Sequence, residues 1–542
     1  MSIQGMKRKA VLLLLLIFVS LVPLPAQPAT TKLSENQKIL HLLNRIAFGA
    51  RPGDVERVRK LGVDKFVDQQ LHPERIDDSS TEAALSQFPS LKMDVTEINE
   101  KYVAPMDLAR RLGLINPRNA QANPNAPQNN PRLRRELQSM MQERGLNPPQ
   151  RLLQELQSQK LVRAVSSERQ LQEVMTDFWF NHFNVFWGKG ANRQLTTGYE
   201  MNAIRPHALG KFKDLVMATA KSPAMLFYLD NFQSSAPDSR MLQRLANRPQ
   251  ARKPGINENY ARELMELHTI GVEGGYTQKD VQEVARAFTG WTIDRPRQDA
   301  GFVFRPMMHD RGEKTVLGHK ISEGGIKDGE AVIDILVRHP STARFIATKL
   351  VRRFVSDEPP KTLVDRVAAV YTRTDGDIRE MLHAIFTSNE FYAVDAYRAK
   401  TKSPFELVVS SIRALGATTT GGPRLAQEIA RMGQPLYQYQ APTGFPDRAS
   451  QWTSAGALVE RLNFGIALAA NKVPATSIDL ARFSKGVTSH DRAIDVAVDA
   501  LLGGDVSDAT KRILVDQIRT TNEPPLVKAF AMVLGSPEFQ KR

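Results

Sequence analysis

The helical spacing of apolar residues constrains this 542-residue chain more than any other feature of its sequence. The stretch from Asn257 to Trp291 shows the pattern most clearly. At about 100° per residue, Tyr260, Leu264 and Leu267 fall on one arc of a helix, and charged residues fall on the other. A glycine-rich turn follows, and Thr277 caps a second helix. Because the same spacing recurs along most of the chain, we predict an all-α protein, mainly α-helical and built from many helices.

One part of the sequence departs from this helical pattern. Between Gly301 and Ile321, short apolar segments are separated by turn residues, which is typical of β-strands. We therefore predict one small β-hairpin in this interval. His309 and Asp310 would lie in its loop.

The sequence indicates three successive parts: a signal peptide at residues 1–26, a main helical domain at 27–395 and a C-terminal helical lobe at 396–542. The second boundary precedes Ser403, because a cap followed by Pro404 at the first helical position is a strong helix start. Within the main domain, residues 116–131 consist mostly of Asn, Pro, Gln and Ala. Few of these can bury apolar surface, so we expect a disordered loop there.

The N-terminus has the features of a secretory signal. Lys7, Arg8 and Lys9 precede an apolar run at residues 11–22, and Ala26 supplies a small residue at the cleavage point. The run is shorter than the roughly 20 residues that a membrane-spanning helix requires. No later run is apolar enough to span a membrane, so no transmembrane domain remains after cleavage. We predict export to the periplasm or beyond; an uncleaved anchor is the alternative.

The absence of cysteine and the positive net charge exclude several kinds of site and favour one kind of partner. The sequence contains no cysteine, which excludes a disulfide framework, a cysteine nucleophile, a thiolate metal site and a lipoprotein anchor. Its formal charge is +15, and removing the three basic residues of the signal leaves +12. For a basic exported protein we expect an anionic envelope polymer as partner rather than nucleic acid. The basic clusters, at residues 132–135 and 240–253, are not interleaved with aromatic residues as a nucleic-acid surface would be.

Histidines on apolar helix faces are the candidate metal ligands. His182 and His268 both interrupt apolar stripes, and a buried imidazole must either form hydrogen bonds or bind something. Together with His309 and Asp310 they would form a site for a divalent metal such as Zn, Mn or Fe(II). The structural alternative is that each histidine is a hydrogen-bonded core residue.

Carboxylates near His268 are the candidate acid–base groups. We predict catalytic roles for Glu258, Glu263 and His268, because carboxylate and imidazole together suit proton transfer. In the structural alternative, Arg262 bridges carboxylates on a solvated helix face. No familiar signature accompanies them: the sequence contains no nucleophile elbow, P-loop, dinucleotide fingerprint or H-E-x-x-H motif.

Several segments, in the expected order, resemble a large bacterial family catalogued as domain of unknown function 1800. They are residues 41–71, FWFNHF at 178–183, the helix pair at 257–291, HDRGEKTVLG at 309–318, RFIATKLVRRFVSDEPP at 344–360, TDGDIREMLHAIFTSNEF at 374–391 and QAPTGFPD at 440–447. The resemblance implies an exported, helical bacterial protein without an established activity. It also implies a neighbour, because members are often encoded beside a second exported family related to sulfatases.

Two functions of different classes remain open on the sequence alone. The first is a metal-assisted hydrolase that acts on envelope or polysaccharide substrates, which predicts a pocket where the histidines and carboxylates converge. The alternative is a non-catalytic binding or assembly protein that partners the sulfatase-like exported protein. It predicts dispersed histidines and a broad basic or aromatic surface.

Overall fold

A computed structural model describes residues 32–115, 130–237, 255–295, 300–322, 324–519 and 523–542. These residues form 25 α-helices and three pairs of short antiparallel strands. The prediction of an all-α protein is therefore confirmed. The predicted signal peptide at residues 1–26 lies outside the described residues.

The helices fall in three runs along the chain. Before residue 237 lie α1 (Glu35–Ile46), α2 (Asp54–Leu61), α3 (Val63–Leu71), α4 (Ser79–Leu85), α5 (Val95–Lys101), α6 (Pro105–Arg111), α7 (Pro131–Glu143), α8 (Gln150–Ser166), α9 (Gln170–His182), α10 (Asn192–Gly198), α11 (Phe212–Ala220) and α12 (Pro223–Tyr228). The middle run contains α13 (Glu258–Glu263), α14 (Gln278–Ala287), α15 (Ile326–Arg338), α16 (Pro340–Phe354), α17 (Lys361–Arg373) and α18 (Ile378–Phe386). The last run contains α19 (Pro404–Ala414), α20 (Pro423–Arg431), α21 (Ala455–Ala469), α22 (His490–Leu502), α23 (Asp508–Ile518), α24 (Pro525–Gly535) and α25 (Pro537–Gln540).

Helix starts follow the local capping chemistry of the sequence. Capping boxes, in which two side chains satisfy free amide groups reciprocally, begin α1 at Ser34, α14 at Thr277 and α19 at Ser403. The side-chain oxygen of Asn130 caps α7 by accepting hydrogen bonds from the main-chain amides of Arg132 and Leu133, each at 3.1 Å. The last two residues of the predicted loop at 116–131 thus belong to a helix start, and 116–129 lie outside the described residues.

The β-structure differs from the single hairpin predicted between Gly301 and Ile321. Strand β2 (Phe302–Phe304) pairs with the preceding strand β1 (Trp291–Ile293). Strand β3 (Lys314–Val316) pairs with the following strand β4 (His319–Ile321). The second hairpin closes on its own because the two residues of its turn, Leu317 and Gly318, have φ of 49° and 81°. Positive φ at both positions is what a two-residue type I′ turn requires. A third pair joins β5 (Thr418–Thr419) to β6 (Thr476–Ser477).

One continuous hydrophobic core includes residues from both sides of the predicted boundary at 395/396. Arg413 of α19 is buried within it and reaches the N-terminal helices. Its guanidinium donates to the carbonyl oxygens of Gly49 at 3.0 Å and Val165 at 2.7 Å, and lies 3.4 Å from the carboxylate of Asp54. No helix among the described residues has the length and apolar character needed to cross a membrane.

The helix that begins with α13 changes its winding before it ends. After Glu263 the backbone widens into a π-helical turn over Leu264–His268. The hydroxyl of Thr269 donates to the carbonyl oxygen of Leu264 at 2.6 Å, and this bond closes the wide turn. Single π-turns of this kind re-aim side chains relative to a regular helix. Here the turn delivers His268 to the interior, where it is 2% exposed.

Candidate functional site

Two imidazoles meet in the interior where α9 ends and the π-turn ends. The ring centroids of His182 and His268 lie 6.1 Å apart. The Nε2 atom of His182 donates to the carbonyl oxygen of His268 at 3.1 Å, since a carbonyl can only accept. Aromatic rings surround the pair: Phe178, Trp179, Phe183, Phe212 and Phe345.

Both imidazoles are held in the neutral form. Burial, and next the positive charge of Lys349, lower the pKa of His268 to about 3. The same two causes, with a smaller contribution from His268, lower the pKa of His182 well below its usual value. Within the described residues, Nδ1 of His182 and Nε2 of His268 are buried and have no hydrogen-bond partner. The pair is therefore uncharged and leaves two ring nitrogens unsatisfied.

The loop at residues 440–447 is fastened to the end of α9 beside this pair. The side chain of Asn181 donates to the carbonyl oxygen of Phe445 at 2.9 Å and accepts from its amide at 2.7 Å. Gly444 has φ of 69°, and a Cβ at this position would come within 2.1 Å of the carbonyl oxygen of Asn181. Only glycine fits, so the loop can approach the helix closely.

This loop forms one wall of a narrow cleft that is open to solvent and has a cavity volume of about 80 Å³. Four cations and three carboxylates line it: Lys160, Arg353, Lys400, Arg542, Asp177, Glu406 and Asp447. Its aromatic lining comes from Phe178, Phe180, Tyr437, Phe445 and Trp452. The cleft thus combines flat apolar faces with closely spaced charges.

The charges of the cleft are paired unequally. Arg353 and Arg542 share the carboxylate of Glu406, with Arg542 Nε at 3.2 Å from its oxygen. Lys160 has a partner of its own, the carboxylate of Asp177 at 2.7 Å. The two guanidinium groups thus share one directly bound carboxylate, and Asp447 is a second, more distant negative charge for both.

A further ammonium group adjoins the cleft at Asp447. The Nζ atom of Lys349 lies 4.0 Å from the carboxylate of Asp447, and the side chain is 19% exposed. Lys400 on the other side donates to the main-chain carbonyl of Asp447 at 3.0 Å and binds the carboxylate of Asp357. Lysine charge therefore flanks Asp447 on two sides.

The pKa shifts of the cations in the cleft differ in direction. Burial, and next the charge of Arg542, lower the pKa of Lys400 to about 8. Burial and then Arg353 lower the pKa of Arg542 to about 10. Burial alone would raise the pKa of Glu406, but the two arginines lower it to about 2. Burial alone would lower the pKa of Lys160 and of Arg353, but Asp177 and Glu406 raise them. Lys400 and Arg542 are therefore the two cations of the cleft that an added anionic group would stabilise most.

Of the predicted acid–base carboxylates, Glu258 has other partners. Glu258 is 3.5 Å from Arg262 and accepts a hydrogen bond from Gln278 at 2.6 Å, on a half-exposed helix face. Burial, and next the charge of Glu266, raise the pKa of Glu263. The Arg262–Glu258 ion pair is one contact of the structural alternative, and the catalytic roles of Glu258 and Glu263 stay predictions.

His309 and Asp310 lie in a second cluster. The Nδ1 atom of His309 is 2.8 Å from the carbonyl oxygen of Thr289, and its Nε2 is 3.1 Å from a carboxylate oxygen of Asp328. Asp310 forms a two-pronged ion pair with Arg286, with both contacts at 2.9 Å.

The structure thus divides the four predicted metal ligands between two places, the His182–His268 pair and the second cluster. Among the residues that the structure describes, no group of three or more His, Asp or Glu side chains could hold a metal ion.

The family model described as "Protein of unknown function (DUF1800)" matches residues 41–541, nearly the whole chain. The chain belongs to this family. No curated protein and no solved structure matches the chain. Four of the segments on which the resemblance rested meet at the site: those containing His182, His268, Lys349 and Asp447.

Sequence reasoning missed the charged residues of the cleft. One signal was present, because Lys349 and Arg353 stand four residues apart on α16, whose apolar residues are otherwise buried. Such spacing places two cations on one helix face. The remaining members, Lys400, Glu406 and Arg542, come together only through contacts between distant parts of the chain, which leave no local pattern.

Proposed function

We propose that this protein is an exported bacterial envelope protein that binds an acidic polysaccharide in the cleft. The observation that carries the proposal is the sharing of Glu406 by Arg353 and Arg542. A carboxylate or sulfate group on a ligand would give the two guanidinium groups a second directly bound anionic partner. Charge-assisted hydrogen bonds to such groups are stronger than neutral ones, and a guanidinium can bind them through two nitrogens.

The aromatic lining supports a saccharide as the carrier of that charge. Phe445 lies between two other rings, with centroid distances of 4.5 Å to Tyr439 and 6.0 Å to Trp452. Flat apolar faces beside hydrogen-bonding groups suit a sugar ring, which has an apolar face and a polar rim.

Export and the formal charge of the mature chain support the same proposal. A chain of charge +12 is attracted to anionic polymers at long range, and the cleft then adds specific contacts. The sulfatase-like neighbour that the family resemblance implies is the protein partner we propose for this binding function.

A metal-assisted hydrolase is the second candidate. It is favoured by the unpartnered Nδ1 of His182 and Nε2 of His268. However, the charge of Lys349 lowers the pKa of both imidazoles and would also repel a metal cation. Two imidazoles also supply only part of the ligand set of a structural or catalytic zinc. Binding of an anion is therefore the better-supported function. Elemental analysis of the purified protein tests the second candidate, which requires close to one equivalent of a divalent metal.

Binding measurements on two variants, one that removes a positive charge and one that removes a negative charge, test the main proposal. The mature protein should bind polygalacturonate or heparin about tenfold more tightly than neutral dextran, which corresponds to about 1.4 kcal/mol. Lys349→Met should raise the Kd roughly three- to tenfold, whereas Asp447→Asn should lower it, because one removes a cation and the other an anion. Both effects should shrink at high salt.

A matched control comes from α7. Arg134 is exposed and does not line the cleft, so Arg134→Met removes the same charge elsewhere. The proposal fails if dextran binds as tightly as the acidic polymers. It also fails if Arg134→Met weakens binding as much as Lys349→Met, since the interaction would then depend on overall charge alone.

A further inference from the structure

A fully buried lysine meets a fully buried aspartate at the junction of β3 and α15. The side chains of Lys314 and Asp328 are 0% and 2% exposed, and Nζ lies 2.6 Å from Oδ2. Lys314 also donates to the main-chain carbonyl of Asp310. Burying two charges costs free energy that their attraction does not always repay. The pair is thus a candidate for chemistry that removes both charges.

His309 touches the same carboxylate oxygen as the lysine does. Its Nε2 lies 3.1 Å from Oδ2 of Asp328, and the imidazole side chain is 2% exposed. Its Nδ1 must donate to the carbonyl of Thr289, because a carbonyl can only accept. The contact between Nε2 and Oδ2 therefore contains a second proton, carried by the ring or by the carboxyl group. A proton therefore lies between the imidazole and Oδ2, which is the oxygen that would leave if Lys314 attacked the carboxyl group.

The other carboxylate oxygen has its own donor. The main-chain amide of Gly324 donates to Oδ1 of Asp328 at 2.7 Å. An amide in this position stabilises negative charge that develops on Oδ1 when a nucleophile adds to the carboxyl carbon. A nucleophile, a proton donor to the leaving oxygen and a donor to the developing oxyanion thus surround one carboxyl group.

We propose that Lys314 and Asp328 form an intramolecular amide bond after the chain folds. The Nζ–Cγ bond forms, and the bond between Cγ and Oδ2 breaks. Of the three ammonium protons, one stays on the amide nitrogen and two leave with Oδ2 as water. His309 relays protons to the leaving oxygen and returns to its starting state. No oxidant or cofactor is needed. Amide formation usually requires an activated carboxyl group, but here the fold holds the amine against the carboxyl group and so raises their effective concentration.

The bond would tie the second hairpin covalently to the start of α15. It would convert two buried ions into one neutral amide and close a loop between residues 314 and 328. A cross-link of this kind restricts the unfolded chain and so stabilises the folded one. It is independent of the cleft and of the proposed function.

Peptide mapping of the denatured wild-type protein tests the bond directly. Trypsin cannot cut after a lysine whose Nζ is acylated, so residues 312–320 should remain in one piece. That peptide should be joined to residues 328–338, with a combined mass lower than the sum by one water molecule. Recovery of the free peptides 312–314, 315–320 and 328–338 in full yield from folded protein would overturn the proposal.

Variants separate the roles of the three groups. Lys314→Met and Asp328→Ala should abolish the cross-linked peptide, and His309→Ala should reduce its yield or slow its appearance. Lys320→Arg is the matched control, because Lys320 is 75% exposed on the same hairpin and trypsin still cuts after arginine. Equal yields from His309→Ala and Lys320→Arg in freshly purified protein would remove His309 from the mechanism. The wild-type map does not depend on whether any variant folds.

Discussion

At the scale of single residues, the two interior imidazoles leave polar atoms unsatisfied in the site. Each of His182 and His268 has a buried ring nitrogen without a partner among the described residues. An unsatisfied buried polar group costs about 1–3 kcal/mol. Both rings avoid a larger cost by staying neutral, as their lowered pKa values indicate.

The lowered pKa of His268 makes stability depend on pH. The folded pKa of about 3 lies below the ordinary histidine pKa of 6.5, so below pH 6.5 the unfolded chain binds a proton that the folded chain does not. Stability that is present above pH 6.5 is therefore lost as the pH falls, by about 2 kcal/mol between pH 7 and pH 5. Between pH 7 and pH 5, His268→Leu should lose about 2 kcal/mol less of its free energy of unfolding than the wild type does, as measured by urea unfolding.

The exposed His383 provides the control for this experiment. His383→Ala should retain the pH dependence of the wild type, because the imidazole at position 268 is unchanged. If His268→Leu and the wild type lose the same free energy of unfolding between pH 7 and pH 5, His268 is not buried in neutral form.

At the scale of elements, capping residues marked several helix starts in the sequence, whereas the pairing partner of strand β2 was not predicted. Ser34, Thr277 and Ser403 each begin a helix through a local hydrogen bond that the sequence displays directly. The pairing of Phe302–Phe304 with Trp291–Ile293 depends on a contact across an intervening segment. The π-turn after Glu263 also has no sequence signature, because it depends on how the chain is held on both sides.

The loop at residues 440–447 shapes the cleft, and Gly444 is the position on which its approach depends. Gly444→Ala should destabilise the protein by about 2–4 kcal/mol and weaken polysaccharide binding, because the new Cβ would force the loop away from Asn181. Thermal unfolding and the binding assay measure the two effects. Gly456→Ala is the matched control, since a Cβ there meets no atom within 4 Å. Equal stability of the two variants would show that the loop is not held as described.

At the scale of the whole molecule, a continuous core joins the two sides of the predicted lobe boundary. Arg413 bonds two carbonyls of the N-terminal helices, at Gly49 and Val165. Arg413→Met should lower the free energy of unfolding by about 2–4 kcal/mol, because both carbonyls would lose a buried donor. Arg431→Met is the control: its side chain is 60% exposed and should change stability by less than about 0.5 kcal/mol.

The continuous core also predicts a single unfolding transition for the described residues. Tryptophan fluorescence and circular dichroism should report the same midpoint in urea, because cooperative unfolding gives coincident probes. Two separate transitions, or an Arg413→Met effect no larger than that of Arg431→Met, would indicate that the C-terminal lobe is an independent unit.

The candidate site could be predicted only in part, because its members are distant in sequence. The apolar stripes interrupted by His182 and His268 marked both residues, and the structure brings these two together. Nothing local distinguishes Lys400 or Arg542 from other basic residues of a chain that contains 73 lysines and arginines. Their significance comes from their shared surroundings in the folded protein.

A crystal structure of the protein with an acidic oligosaccharide, such as trigalacturonate, tests the central claim most directly. The account predicts that a ligand carboxylate lies within about 3.5 Å, the limit for a hydrogen bond, of a nitrogen of Lys349, Arg353, Lys400 or Arg542. A sugar ring should contact Phe445 or Trp452 in the same complex. A ligand bound outside the cleft, or a cleft that stays empty at saturating ligand concentration, would contradict it.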